Sequence, residues 1–230
     1  HGVDVTLDLR HEDFILDHIG TPAPTLFDDA PPPTSETSDP ARYDAVLANP
    51  PYFKLKPDDP RRQAADGFSA TSNIYPVFME LCMRRLRDEG RACFIVPRSF
   101  CSGTYFGAFR HYVTQHVRPE CIHLFESRQD AFKGDAVLQE NVIVSFAAGN
   151  GQALPDPEHE VCISTSAGVA DLGMPHRKHA VPLGTLLGGR PRRPVFRLPT
   201  SDLDTAILRT VDGWDGSFAA YNLEISTGPV

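Results

Sequence analysis

The strongest constraint on this chain is a short apolar run stopped by two prolines, Tyr43-Asp44-Ala45-Val46-Leu47-Ala48 followed by Asn49-Pro50-Pro51-Tyr52. Proline has no amide hydrogen and a fixed φ, so it cannot continue a central ladder. The run therefore reads as a buried strand that ends at Asn49. In an open sheet whose strands alternate with helices, ligands gather beyond the carboxyl ends of the strands. The residues that end this strand thus stand where chemistry is expected.

The neighbouring segments supply that alternation. Asn73 to Glu89 reads as a helix, with Ile74, Val77, Phe78, Leu81, Cys82 and Leu86 near helical spacing. Gly90 is placed to cap its C-terminus, and Arg84, Arg85 and Arg87 suit the dipole there. Ala92 to Val96 is a strand ended by Pro97, Thr104 to His116 a helix, and Cys121 to Phe125 and Asn141 to Phe146 two more strands. Val3 to Leu9 alternates apolar and polar residues and also reads as a strand. Thr21 to Ala41, rich in Pro, Ser, Thr and Asp, reads as a surface insertion, and Lys54 to Ser72 as irregular. From Gly149 onward Pro and Gly loosen the pattern, leaving one strand over Val161 to Thr165 and one helix over Asp202 to Val211. The expectation is an α/β protein with helices on both faces of the sheet and a loosely structured C-terminal segment, divided at residues 1–150 and 151–230.

Bulk properties narrow the class. At 230 residues and 41% hydrophobic content the chain can bury one core, or one core with an appended fragment. It has no uninterrupted apolar run of about 18 residues, so no transmembrane helix is expected, and His1-Gly2-Val3-Asp4 lacks the basic-then-apolar pattern expected of a leader. Cys82, Cys93, Cys101, Cys121 and Cys162 form no C-x-x-C pair and read as reduced thiols of a cytoplasmic protein without a metal site. The net charge of -8 argues against nucleic acid, but its distribution does not. Leu172 to Ser201 contains no acid and holds Arg177, Lys178, Arg190, Arg192, Arg193 and Arg197. Arg190, Arg192 and Arg193 read as contacts to a DNA backbone, or else as part of a solvated basic loop.

The tetrapeptide offers a specific set of groups. Asn49 carries a side-chain carbonyl that accepts an N–H. The prolines hold each preceding residue extended and fix the direction of the Pro50 carbonyl. Tyr52 adds a flat aromatic face. A planar ligand with an exocyclic amine fits, one N–H to Asn49, one to the Pro50 carbonyl, and its ring stacked against Tyr52 as the target base. Adenine is such a ligand, and its amino group lies inside a stacked duplex until the nucleotide is flipped out.

Here the sequence resembles a known family. Asp44 to Tyr52 is similar to the catalytic motif of class I S-adenosylmethionine-dependent DNA adenine-N6 methyltransferases of the type II restriction-modification kind. The resemblance runs from about Val5 to Phe146 through Asn73 to Glu80, Gly90 to Pro97, Arg98 to Phe106, Phe109-Arg110, His123 to Arg128 and Val137 to Asn141. The subgroup with the Arg98-Ser99-Phe100-Cys101 stretch includes enzymes modifying a palindromic CTGCAG site. The resemblance implies a Rossmann-like sheet, S-adenosylmethionine as cofactor, double-stranded DNA as partner and a cognate restriction endonuclease in the same system. It makes Asn49, Pro50, Pro51 and Tyr52 catalytic. Asp13, with Phe14 beside it, matches the residue bonding the cofactor's adenine amino group, and Phe78 an aromatic packing on that adenine. Phe132 matches an aromatic at the flipped base. Helix capping is the other reading of Asp13, and plain core that of Phe78 and Phe132.

The family's Gly-rich loop and ribose-binding acid do not precede Val3, and Asn222 to Val230 resembles the entry to a target-recognition region. The expectation is therefore the middle of a longer enzyme. Two rivals stand beside it: an Asn-Pro-Pro-Tyr methyltransferase acting on RNA adenine or protein glutamine, and an inactive truncated remnant.

Overall fold

The computed structural model describes residues 6–19, 42–69, 72–126, 140–149, 156–168, 177–190, 193–216 and 218–224. Its centre is a six-stranded mixed sheet. The strands are β1 (Tyr43–Ala48), β2 (Leu86–Pro97), β3 (Val117–Phe125), β4 (Asn141–Ala148), β5 (Glu160–Ser166) and β6 (Arg177–Pro182), in the order β1-β2-β4-β3-β5-β6. β1 runs parallel to β2, and β3 parallel to β5; the remaining neighbours are antiparallel. A hairpin of β7 (Leu187–Arg190) and β8 (Arg193–Phe196) forms a second sheet, with Phe196 buried in the main core.

One face of the sheet carries the core. Ala92, Phe94 and Val96 of β2 are buried together with Val142, Val144 and Phe146 of β4, Ile122 of β3 and Ile163 of β5. Tyr75, Met79 and Cys82 of α3 (Ile74–Arg84) and Phe109 and Val113 of α4 (Gly107–His116) pack into the same cluster. The alternate residues Cys93, Ile95, Ile143 and Cys121 are only half-buried, and Leu47 of β1 is 83% exposed. The parallel β1–β2 pair with its helical crossover, and α4 between β2 and β3, realise the expected α/β layering. Among the described residues, however, α3 and α4 pack on this one face and not on both. β1, expected to be buried, is an edge strand with no buried residue.

Several boundaries differ from the sequence reading, each for a local reason. α3 ends at Arg84, and Gly90 lies inside β2 instead of capping a helix. Register shifts between Tyr43↔Leu86 and Ala45↔Arg91, and Glu89 takes φ 65°. A Cβ at Gly90 would sit 2.8 Å from the Arg87 carbonyl and 3.0 Å from that of Tyr43, so the close backbone approach of a bulge requires glycine. The helical spacing of Leu86 is coincidental, since this residue opens a strand. The described part of the Val3–Leu9 expectation is also corrected. Residues 6–12 form no strand, and Leu7 and Leu9 are 74% and 82% exposed. Alternation specifies a strand only where a partner completes its ladder, and no described strand lies beside it.

Lys54 to Ser72 is not wholly irregular. Asp59 caps α2 (Pro60–Ala64), accepting from Arg61 N, with Pro60 in the first turn. Thr104–Phe106 is a 3-10 turn, and the regular helix begins only at Gly107. Beyond Gly149 the chain is more regular than its composition suggests, because β5 and β6 extend the main sheet. They are followed by α5 (Leu183–Leu186) and α6 (Asp202–Asp212), the latter capped by the Ser201 side chain. The segments 20–41 and 127–139, which include the proposed insertion and Phe132, lie outside the described residues. Among the described residues no helix is long and apolar enough to cross a membrane, and no group of three or more His, Cys, Asp or Glu is placed to hold a metal ion.

Candidate active site

β1 pairs with β2 up to Ala48↔Phe94, and the prolines then release the chain from the ladder. Asn49 is exposed at this carboxyl end, while Pro50 is buried and anchors the turn. Tyr52 returns towards the sheet. Its hydroxyl donates to the Ile95 carbonyl at 2.6 Å and also touches Asn49 Oδ1. Burial pushes its phenol up to about 12, so it stays a neutral hydrogen-bonding group at physiological pH.

The segment after Tyr52 is pinned to the start of α3. Ile74 N donates to Phe53 O at 3.1 Å and Leu55 N to Ser72 O at 3.0 Å, with a bridge between Lys54 and Asn73. Tyr75, in the first turn of α3, meets the Tyr52 ring edge-on, with centroids 6.2 Å apart and planes at 88°. Tyr75 is held in turn by Ser99 Oγ at 3.1 Å and by the Phe106 ring at 5.5 Å. Burial raises its phenol as well. The Asn-Pro-Pro-Tyr turn is thus braced by β2, α3 and the Arg98–Phe106 segment.

A second aromatic group lies one helical turn along α3. Phe78 stacks against Phe14 of α1 (Phe14–Ile19) with centroids 4.6 Å apart, and Phe14 also meets His18 at 4.5 Å. Both phenylalanines are half-buried. Asp13 caps α1: Oδ1 accepts from Ile15 N at 3.1 Å and Leu16 N at 3.2 Å, while Oδ2 lies 3.7 Å from Arg61. The capping reading of Asp13 is therefore realised, though the residue remains exposed. An acidic group beside a half-buried aromatic pair suits a flat base bearing an amine. Residues 13, 14 and 78 fit one end of a nucleoside cofactor and no more of it.

The structure divides the basic stretch. Arg197 is engaged with Asp212 at 2.6 Å and with the carbonyls of Thr185 and Leu187. His179 bonds Thr205 Oγ1 at 2.8 Å. Neither is free to meet a phosphate. Arg190 and Arg193 pair in register where the β7–β8 hairpin turns. Arg192, between them, lies outside the described residues, as does Phe132. The Phe109-Arg110 pair belongs to the family resemblance, but the sequence gives Arg110 no role. Arg110 is buried and donates to Phe100 O and Gly103 O, each at 2.8 Å, and to Pro194 O. An arginine among apolar helix residues is the only signal of this in the sequence.

Residues 14–132 match the model of the Eco57I restriction-modification methylase family. The type II methyltransferase M.BsuBI of Bacillus subtilis is 33% identical over 84% of this chain and 37% of its own length. M.PstI of Providencia stuartii is 29% identical over 82% of this chain and 36% of its own. The chain thus spans a little over a third of these relatives. Among solved structures, one described as a modification subunit of a type I restriction enzyme from Vibrio vulnificus YJ016 superposes with a TM-score of 0.52 at 12% identity. It covers 72% of this chain and 40% of that one, a likeness of fold.

Proposed function

The chain belongs to the Eco57I restriction-modification methylase family, and on that premise we propose that it carries the catalytic turn of a DNA methyltransferase acting on N6 of adenine. The supporting observation is the exposed Asn49 at the carboxyl end of β1, followed by a buried Pro50 and braced through Tyr52. In this reading Asn49 and the Pro50 carbonyl each accept one N–H of an adenine flipped out of the duplex. The pair of acceptors draws electron density towards the amine nitrogen and aligns it for attack. S-adenosylmethionine supplies the electrophilic methyl group when bound. As the nitrogen takes the methyl group, the cofactor's sulfur–methyl bond would break to leave neutral S-adenosylhomocysteine, and the amine becomes positively charged and its proton acidic. Asn49 and the Pro50 carbonyl stabilise that charge until the proton leaves to water, so no strong base is required.

Asp13, Phe14 and Phe78 would hold the adenine end of the cofactor. Arg190, Arg192 and Arg193 would meet DNA phosphates. Residues 1–150 would form part of the catalytic domain, and 151–230, anchored to it through β5 and β6, would lead into a target-recognition region. A cognate restriction endonuclease would share the DNA site.

Methyl incorporation from labelled S-adenosylmethionine by the complete protein carrying this chain tests the reading. Transfer to duplex DNA, with N6-methyladenine as the product after nuclease digestion, is expected. A CTGCAG duplex should be preferred to a scrambled one. Transfer to RNA or to protein glutamine alone would replace this reading with the rival amine or amide substrate, and no transfer to any of them would support an inactive remnant.

A further inference from the structure

Tyr52 carries one hydroxyl proton but lies against two oxygen acceptors, Ile95 O and Asn49 Oδ1. The register of the sheet shows which takes the proton. Ile95 stands one residue beyond Phe94, the last β2 residue paired with β1. Had β1 continued, its next backbone amides would have offered donors there, but Pro50 and Pro51 have none. The Ile95 carbonyl can only accept, and leaving it without a donor carries a desolvation cost. The Tyr52 proton therefore belongs to Ile95.

The Tyr52–Asn49 approach then needs a donor from the asparagine. A half-turn of the amide exchanges Oδ1 for Nδ2 at almost no steric cost, and the proton count decides between the two orientations. We propose that Tyr52 is a positioning residue: its hydroxyl donates to Ile95 O, accepts from Asn49 Nδ2, and so turns Asn49 Oδ1 outward to the substrate amine. This rests on the reading of Asn49 as an acceptor for a substrate N–H. It gives the Tyr52 hydroxyl a function separate from any stacking by its ring. Because the phenol is held neutral by burial, the orientation should persist across the physiological pH range.

Tyr52→Phe in the complete protein keeps the ring and removes the hydroxyl. It should lower the single-turnover methyl-transfer rate by about three- to tenfold, the worth of one ordinary hydrogen bond, with duplex affinity unchanged. Asn49→Asp supplies the control, because a carboxylate has two equivalent oxygens and no orientation to fix. When combined with Asn49→Asp, Tyr52→Phe should cost less than a further twofold. The Asn49 side-chain amide resonances report the same bond directly. In Tyr52→Phe one amide proton should move upfield and exchange faster with solvent. A Tyr52→Phe protein with the wild-type rate, or an Asn49 amide unchanged by the substitution, overturns the proposal. So does a Tyr52→Phe penalty that is equal with and without Asn49→Asp. Failure of the parent reading looks different, since Asn49→Ala itself would then keep the wild-type rate.

Discussion

Arg110 of α4 donates its buried guanidinium to the carbonyl of Pro194 in β8, joining a helix on the main sheet to the separate hairpin. The same guanidinium holds Phe100 O and Gly103 O, so three carbonyls converge on one charge. Burial lowers its pKa from the ordinary arginine value, but arginine starts so high that the group stays protonated. Arg110→Met should cost about 3 kcal/mol or more, because it strands several carbonyls at once. Arg110→Lys should recover only part of this, since an ammonium lacks the planar fork. Urea unfolding of the three proteins measures it, and a Met variant within about 1 kcal/mol of wild type would show that water serves these carbonyls as well.

His123 couples stability to pH. It lies buried between Ser164 Oγ and Ser166 Oγ, each at 2.9 Å. Ser166 donates its own proton to Gly168 O, so Nε2 of His123 must donate to Ser166 and Nδ1 must accept from Ser164. Neutral imidazole satisfies this arrangement, and burial pushes its pKa below the ordinary histidine value. The unfolded chain therefore binds a proton at a higher pH than the folded one. Stability should fall as pH drops below about 6.5, the ordinary histidine pKa, and the loss should level off below the folded value. His123→Gln should flatten that part of the profile in denaturant titrations between about pH 7.5 and 5. An unchanged slope would assign it to other groups.

The core strands were legible in the sequence because two-sided or one-sided burial leaves its mark on residue type, as in Ala92 to Val96 and Asn141 to Phe146. So was the turn at Asn49, because two prolines permit few alternatives. The end of α3 was not legible. Leu86 satisfies helical spacing and strand burial equally, and the bulge at Glu89–Gly90 arises from approach to Tyr43, a residue far away in sequence. Tyr52 was legible as an aromatic but not as a hydroxyl, since Ile95 O becomes its neighbour only once β1 and β2 pair. The charge window around Arg190 likewise concealed that Arg197 is committed to Asp212.

The remaining arginines should govern the salt dependence of DNA binding. Arg190 and Arg193 are paired in backbone register where the β7–β8 hairpin turns. In the complete protein, replacing Arg190, Arg192 and Arg193 by Ala should reduce the slope of log affinity against log salt by about one unit for each phosphate no longer neutralised. The effect should be the same for specific and scrambled duplexes. A triple variant with the wild-type slope would leave the stretch as a solvated surface.

Asn49 is the sharpest test of the proposed chemistry. Its amide oxygen is assigned to an N–H that grows more acidic as the nitrogen is alkylated, so the bond strengthens in the transition state. Losing it should lower the chemical rate more than ground-state binding. Asn49 is exposed at the end of β1 and supports no core packing, so Asn49→Ala should fold normally. Removal of one preorganised electrostatic partner costs about 10²–10³ in rate, and single-turnover transfer should fall by that factor while DNA affinity stays within a few fold. Asn49→Asp keeps an acceptor and adds charge. It should retain more activity than Ala without reaching wild type, because the carboxylate also attracts the cofactor's sulfonium and disturbs the alignment of the amine. Equal rates for wild type and Asn49→Ala would remove Asn49 from the mechanism. A loss confined to DNA affinity would make it a residue that holds the flipped base without assisting transfer.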